Sequence, residues 1–99
     1  IIIIIIIIII IVIIIIIIGY ALSQHVVATQ LVLSRIECES LCISRLGCLS
    51  YNYEEKNSGN ICELNNATRG TYPQHFISKP GSSYWEDLVS ESSVLVKGF

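Results

Sequence analysis

The hydrophobic pattern divides the chain into two segments of different character. Residues 1–18 are isoleucine throughout except for Val12, so this tract has no polar face. From residue 22 onward, apolar and polar positions follow the shorter periods that are typical of strands and helices. The tract and the remainder therefore require separate explanations.

The isoleucine tract has three interpretations. As a helix it would span about 27 Å, close to the thickness of a bilayer core, which makes it a candidate transmembrane helix or signal anchor. It could instead be the core of a cleavable signal peptide, because residues 19–21 (Gly-Tyr-Ala) resemble a signal-peptidase site. The third interpretation is a translated low-complexity repeat or a gene-model artefact. No Lys or Arg precedes Arg35, which favours a non-cytoplasmic location for the residues after the tract.

The remainder begins with a predicted helix between predicted strands. The aliphatic, β-branched run at residues 25–33 predicts one strand or two short ones. Ser34 and Glu37 match a capping box, so we expect a helix from residue 35 to residue 46, ended by Gly47 in the left-handed conformation. Residues 49–53 and 61–65 alternate with a period of two, which predicts an antiparallel hairpin across a polar connection.

The last third of the chain predicts less regular structure. Its Gly, Pro, Ser and Thr content indicates loops over residues 67–83, with Phe76 and Ile77 packed inside. Residues 84–86 could add a closing strand. Residues 89–99 resemble a linker or the start of a next segment, so we interpret the chain as a fragment of a larger protein.

Composition and charge argue against several classes of function. The 99 residues leave about 80 outside the tract, enough for one small domain. The net charge of −2 comes from six basic and eight acidic residues that form no stripe, which argues against nucleic-acid binding. Catalysis has no support, because His25 and His75 lie far apart and neither has a neighbouring nucleophile. We therefore expect no enzyme activity and no cofactor.

The cysteines are the most informative residues for the fold. There are four of them: Cys38, Cys42, Cys48 and Cys62. In a small exported domain an even number of cysteines predicts disulfide bonds, and four cysteines allow three pairings. A bond between Cys38 and Cys42, across one helical turn, has poor geometry. Zinc is the main alternative, but the spacings lack the C-x₂-C knuckles of structural zinc sites, so we expect no metal.

These cysteines and their surroundings resemble the PAN/apple domain family. The resemblance rests on C-x₃-C in the predicted helix, on Leu-Gly-Cys-Leu-Ser-Tyr-Asn-Tyr at residues 46–53, and on Ile-Cys-Glu-Leu-Asn at residues 61–65. Residues 19–25, Thr68 and residues 84–86 (Tyr-Trp-Glu) also fit, so it covers roughly residues 20–88. It implies an α+β fold, in which one helix packs on a small antiparallel sheet of four or five strands.

The resemblance also implies a disulfide pairing and a role. It implies the bonds Cys38–Cys62 and Cys42–Cys48. Apple domains of the blood-protease type have a further cysteine pair that joins their two ends. This sequence lacks that pair, so the resemblance is to the four-cysteine PAN form. It implies a non-enzymatic module for protein–protein or protein–carbohydrate recognition, for example in cell adhesion. The alternative is an accessory recognition domain of a secreted zymogen or enzyme whose catalytic part lies outside this chain.

Three residues are candidate sites. Asn66 begins the sequon Asn-Ala-Thr just after a predicted strand, which predicts N-glycosylation in an exported chain. Tyr72 and Trp85 are candidate ligand contacts, because exposed aromatic side chains offer a large apolar area with a polar end.

The tract, the cysteines and the resemblance together indicate an extracellular domain, which we expect to be secreted or anchored at the cell surface through residues 1–18.

Overall fold

In a computed structural model, which describes residues 1–6 and 14–87, the chain forms a five-stranded antiparallel sheet with a helix packed against it. The elements are β1 (Ile14–Leu22), β2 (Val26–Val32), α1 (Arg35–Ser44), β3 (Ser50–Glu54), β4 (Asn60–Asn65) and β5 (Phe76–Asp87). A short 3₁₀ helix, Pro73–His75, precedes β5. The strand order is β1-β5-β3-β4-β2. This architecture confirms the expected α+β class.

The helix α1 begins as the capping box predicts. The Ser34 hydroxyl accepts a hydrogen bond from the Glu37 backbone N–H at 3.4 Å. The Glu37 carboxylate reaches back one residue further than expected and accepts from the backbone N–H of Leu33 at 2.8 Å. Both contacts satisfy backbone donors that a helix start leaves without a partner.

The helix ends two residues earlier than the sequence predicts. Its last residue is Ser44, and Arg45 already adopts an extended conformation with φ −98° and ψ 119°. Gly47 has a φ of +88°, the left-handed conformation that was expected of it. The early exit turns the chain back, and this brings Cys48 to Cys42, to which it is bonded.

The prediction of loops over residues 67–83 is wrong for residues 76–83, because these belong to β5. The register between β1 and β5 shifts between Ile18 and Tyr20. Gly19 and Gly81 both have a positive φ, +86° and +91°, in this irregular stretch. Such a bulge accommodates extra residues without ending the strand. The glycine and proline near residue 80 therefore interrupt the pairing of β5 locally and do not terminate it.

The isoleucine tract contributes the first residues of β1. Residues 14–18 pair with β5, and residues 2–6 are helical. Among residues 1–6 and 14–87, no helix is long and apolar enough to cross a membrane. Residues 7–13 and the expected linker at residues 89–99 lie outside the described residues.

Two disulfides connect the helix to its surroundings. Cys38 of α1 is bonded to Cys62 of β4, and Cys42 is bonded to Cys48 after the helix. This is the pairing that the resemblance implies. Together with Tyr51, Tyr53 and other buried side chains, the four cysteines form the main core between α1 and the sheet.

A second, smaller cluster lies around Tyr84. Its buried members are Leu22, Ala67 and Tyr84, with Ile17 and Phe76 packed against them. Nearby, the buried amide of Asn52 bonds to both the backbone N–H and the carbonyl of Leu22, each at 2.9 Å. A buried polar side chain is tolerated when its hydrogen bonds are made, so this contact ties β1 firmly to β3.

Candidate functional site

The helix covers only part of one face of the sheet. It packs against β2, β3 and β4, while β1 and β5 lie beside it. Because paired residues of neighbouring strands project to the same side, the register aligns side chains of β1, β5 and β3 in two rows. The first row is Ile16, Trp85 and Tyr51, and the second is Ile18, Ser83 and Tyr53.

An open groove runs along these rows beside the helix. We call it the β5 groove, and its main lining side chains are Ile16, Ile18, Arg35, Tyr53, Glu55 and Trp85. Its volume is about 650 Å³. This lies within the range of roughly 300–1,000 Å³ that is usual for ligand sites.

Trp85 lines the groove and is held by contacts with three other side chains. The guanidinium carbon of Arg35 lies 4.2 Å from the centre of its ring. The Tyr51 ring is parallel to it at a centroid distance of 6.0 Å, and the indole N–H donates to the Ser83 hydroxyl at 2.8 Å. The ring is therefore fixed in orientation while remaining partly exposed, which lowers the entropic cost of binding against it.

Arg35 supplies a permanent cation at the Trp85 row. Its Nη1 donates to Glu39 at 2.7 Å and to the Tyr51 hydroxyl at 3.1 Å. Burial opposes its charge, but the hydrogen bonds to Tyr51 and Glu39 outweigh this effect and raise the pKa of Arg35 overall. A guanidinium has five N–H donors, so the two bonds through Nη1 leave donors for a further acceptor.

Glu55 supplies an anion at the Tyr53 row. Its side chain is exposed, and its carboxylate accepts a long hydrogen bond of 3.5 Å from the Tyr53 hydroxyl. Burial, together with the neighbouring Glu55 charge, raises the pKa of Tyr53, so this phenol stays protonated as a donor. Within the described part of the chain, Glu55 has no ion-pair partner.

The wall of the groove opposite the helix consists of isoleucines from the tract. Ile16 is 49% exposed and Ile18 is 81% exposed, although both lie in a strand. Exposed aliphatic side chains next to a fixed aromatic ring form an apolar surface with charged groups beside it. This combination suits non-covalent recognition of a ligand.

The two aromatic residues that the sequence singles out lie in different places. Trp85 lines the β5 groove, whereas Tyr72 stacks on His25 with ring centroids 3.9 Å apart. His25 in turn contacts His75, with Nε2 and Nδ1 2.8 Å apart. Tyr72 thus belongs to a cluster that joins the β1–β2 connection to the β4–β5 connection. It is not among the residues that line the groove.

The sequon begins directly after β4. The side chain of Asn66 is exposed, and its backbone N–H donates to the His25 carbonyl at 3.1 Å. A fixed backbone with an exposed amide side chain is compatible with a glycan at this position. Glycosylation of Asn66 stays a prediction.

The described ranges hold no group of three or more His, Cys, Asp or Glu residues that could bind a metal ion. Their four cysteines are all in disulfide bonds. The sequence reasoning missed Arg35, Glu55, Ile16 and Ile18 as site residues. No local signal identifies them, because they are brought together only by the register of β1 with β5 and by the position of α1.

Comparison with known proteins gives one family match. A family model described as PAN domain matches residues 13–89, which is more than half of the chain. The matched range includes all five described strands, the helix α1, both disulfides and the β5 groove. Comparison with curated proteins finds no match.

Proposed function

The chain belongs to the PAN domain family, and from this premise we propose that it is a non-enzymatic extracellular binding module whose ligand occupies the β5 groove. PAN domains bind proteins or carbohydrates and are generally non-catalytic. Disulfide-bonded PAN domains occur in extracellular regions of secreted or surface proteins. Two disulfides in a domain of this size agree with such a compartment.

The observation that supports the groove is the partial cover of the sheet. The helix buries the half of the face that contains the disulfides, and the other half keeps a fixed tryptophan between aliphatic and charged side chains. Tryptophan and arginine are the residues that most often dominate binding energy at interfaces. Trp85 and Arg35 are in direct contact here, so we expect them to be the centre of the ligand surface.

The opposite face of the sheet offers a weaker alternative. Its hollow has a volume of only about 140 Å³ and includes Glu54, Lys56 and Glu63. Two of its charges neutralise each other, since Lys56 is 3.0 Å from Glu54, and Glu63 accepts from Asn52 at 3.1 Å. The hollow is therefore smaller than the groove, and three of its charged side chains already have partners.

The test uses the fluorescence of Trp85, which is the single tryptophan of the chain. The full chain is first screened against arrays of glycans and of extracellular proteins. Each ligand that binds is then added to the chain while the emission of Trp85 is recorded. A ligand in the groove should change the emission in a saturable way. Ligands that bind and leave the emission unchanged would contradict the assignment of the groove.

A further inference from the structure

The β5 groove combines two opposite charges with an apolar surface. The guanidinium of Arg35 lies over Trp85 in the first row, and the carboxylate of Glu55 lies beside Tyr53 in the second. The Trp85 ring and the isoleucines of β1 supply the apolar part of the lining. A ligand that uses both charges must therefore carry an anion and a cation at opposite ends of an apolar stem.

The register gives the spacing of the two rows beside which the charged groups lie. Tyr51 and Tyr53 mark the two rows and are two residues apart on β3, which corresponds to about 7 Å along the strand. The ammonium and carboxylate of a simple α-amino acid lie too close together to span this distance. The Glu55 carboxylate would repel a purely anionic ligand, and the Arg35 guanidinium would repel a purely cationic one.

Both charged groups keep hydrogen-bonding capacity for a ligand. In the described residues, Arg35 is bonded only through Nη1, so its Nη2 and Nε donors remain. Glu39 offsets part of the Arg35 charge. Arg35 therefore acts mainly through its N–H donors, whose fixed geometry matches the two oxygens of a carboxylate. The exposed Glu55 has only the long contact with Tyr53, and its oxygens can accept from an ammonium.

We propose that the β5 groove recognises the C-terminal lysine of a polypeptide. The α-carboxylate binds Arg35, the side-chain ammonium binds Glu55, and the aliphatic stem lies on Trp85 and the isoleucines. An extended lysine side chain is about as long as the spacing of the two rows, and its methylene groups favour apolar contact while its charged end reaches a polar group. This inference rests on the proposed function and names the ligand class for the same groove.

The test titrates the full chain with Nα-acetyl-L-lysine, which has a free carboxylate and a free ammonium, and follows Trp85 emission. Two probes lack one charge each: Nα-acetyl-L-lysine amide and Nα-acetyl-L-norleucine. We expect saturable binding of the first probe and binding weaker by about tenfold or more for the other two, because each loses one charge-assisted contact. Equal binding of all three probes would overturn the proposal.

A matched pair of variants assigns the ammonium contact. Glu55→Gln should remove the preference for Nα-acetyl-L-lysine over the norleucine probe. Glu54→Gln changes the neighbouring carboxylate, which lines the hollow on the opposite face, and should leave the preference unchanged. Retention of the preference in Glu55→Gln would overturn the proposal.

A second pair assigns the carboxylate contact. Arg35→Gln should remove the preference for the acid over the amide, and Arg45→Gln, which changes a cation outside the groove, should retain it. The lysine inference fails alone if Nα-acetyl-L-lysine does not bind while ligands from the arrays still change Trp85 emission. If those ligands bind without changing the emission, the proposed function fails as well.

Discussion

The two halves of one sheet face differ because the helix covers only one of them. Under α1, Cys62 is fully buried and Leu64 is 5% exposed. Beside α1, on the same face, Ile18 is 81% exposed. The Cys38–Cys62 bond fixes the helix over β4, so the same covalent bond that stabilises one half leaves the other half open.

This difference separates stability from recognition in a small domain. Burial and the disulfides stabilise the covered half, and substitutions there should affect mainly the free energy of unfolding. The open half contributes little burial, so substitutions of its exposed side chains should affect mainly ligand binding.

Removal of the Cys38–Cys62 bond should have the largest effect on stability. The bond closes a separation of 24 residues, and in the chain-entropy model its loss costs about 3.5 kcal/mol. The double variant Cys38→Ala/Cys62→Ala should therefore lose much of the stability of the domain in urea denaturation. The Cys42–Cys48 bond, with a separation of 6, serves as the comparison and should cost about 2.4 kcal/mol. A greater cost for the shorter separation would contradict this account.

The next effect concerns Tyr84 in the second cluster, which is fully buried. Its hydroxyl donates to Glu86 at 2.7 Å and accepts from the backbone N–H of Arg69 at 3.1 Å. Tyr84→Phe should lower the free energy of unfolding by about 1–3 kcal/mol, because it leaves these groups without their partner. Tyr20→Phe, at a ring that is 41% exposed, should change it by less than about 0.5 kcal/mol in the same urea experiment. Equal effects would show that the Tyr84 network is unimportant.

Tyr84 should also make the free energy of unfolding depend on pH in the alkaline range. Burial raises the pKa of Tyr84 from 10.0 to about 12. A group whose pKa is higher in the folded chain than in the unfolded chain contributes its full stabilisation at a pH below the unfolded-state pKa. This contribution is lost as the pH rises toward the folded-state pKa. By pH 11 the wild type should lose on the order of 1 kcal/mol relative to its own stability at pH 8, beyond any loss in Tyr84→Phe. If the free energies of unfolding of the wild type and of Tyr84→Phe changed in parallel with pH, the raised pKa of Tyr84 would be contradicted.

The smallest effect on stability is expected at Asn66, whose side chain is exposed. Expression in a secretory host should give a glycan at Asn66, detected as a mass that glycosidase treatment removes and that Asn66→Gln lacks. The free energy of unfolding of Asn66→Gln should change by less than about 0.5 kcal/mol. A secreted chain without this glycan would contradict the predicted modification.

Local signals in the sequence were sufficient for the covered half of the fold. Ser34, Glu37 and Gly47 marked the helix, and the period-two pattern marked β3 and β4. The open half was predictable only in part, since residues 84–86 were expected to form a closing strand and belong to β5. A run of isoleucine has no alternation to show a strand, and the glycines near the bulge suggested a loop where β5 continues.

The candidate site depended still more on distant parts of the chain. Trp85 was recognisable as an aromatic candidate, but Arg35 and Glu55 line the same groove only through the placement of α1 and β3. Similarly, His25 and His75 are fifty residues apart in sequence and in contact in the fold. Such pairs depend on strand order and register, which periodicity along the chain does not specify.

The most direct test of the account compares Ile18→Ser with Ile36→Ser, using the ligand that the arrays identify. Both side chains are exposed, 81% and 64%, but Ile18 lines the β5 groove and Ile36 lies on α1 outside it. Both variants should keep the wild-type free energy of unfolding within about 0.5 kcal/mol. We expect Ile18→Ser to raise the Kd about tenfold or more and Ile36→Ser to raise it less than about twofold. An equal or larger effect of Ile36→Ser would contradict the assignment of the open half as the ligand surface.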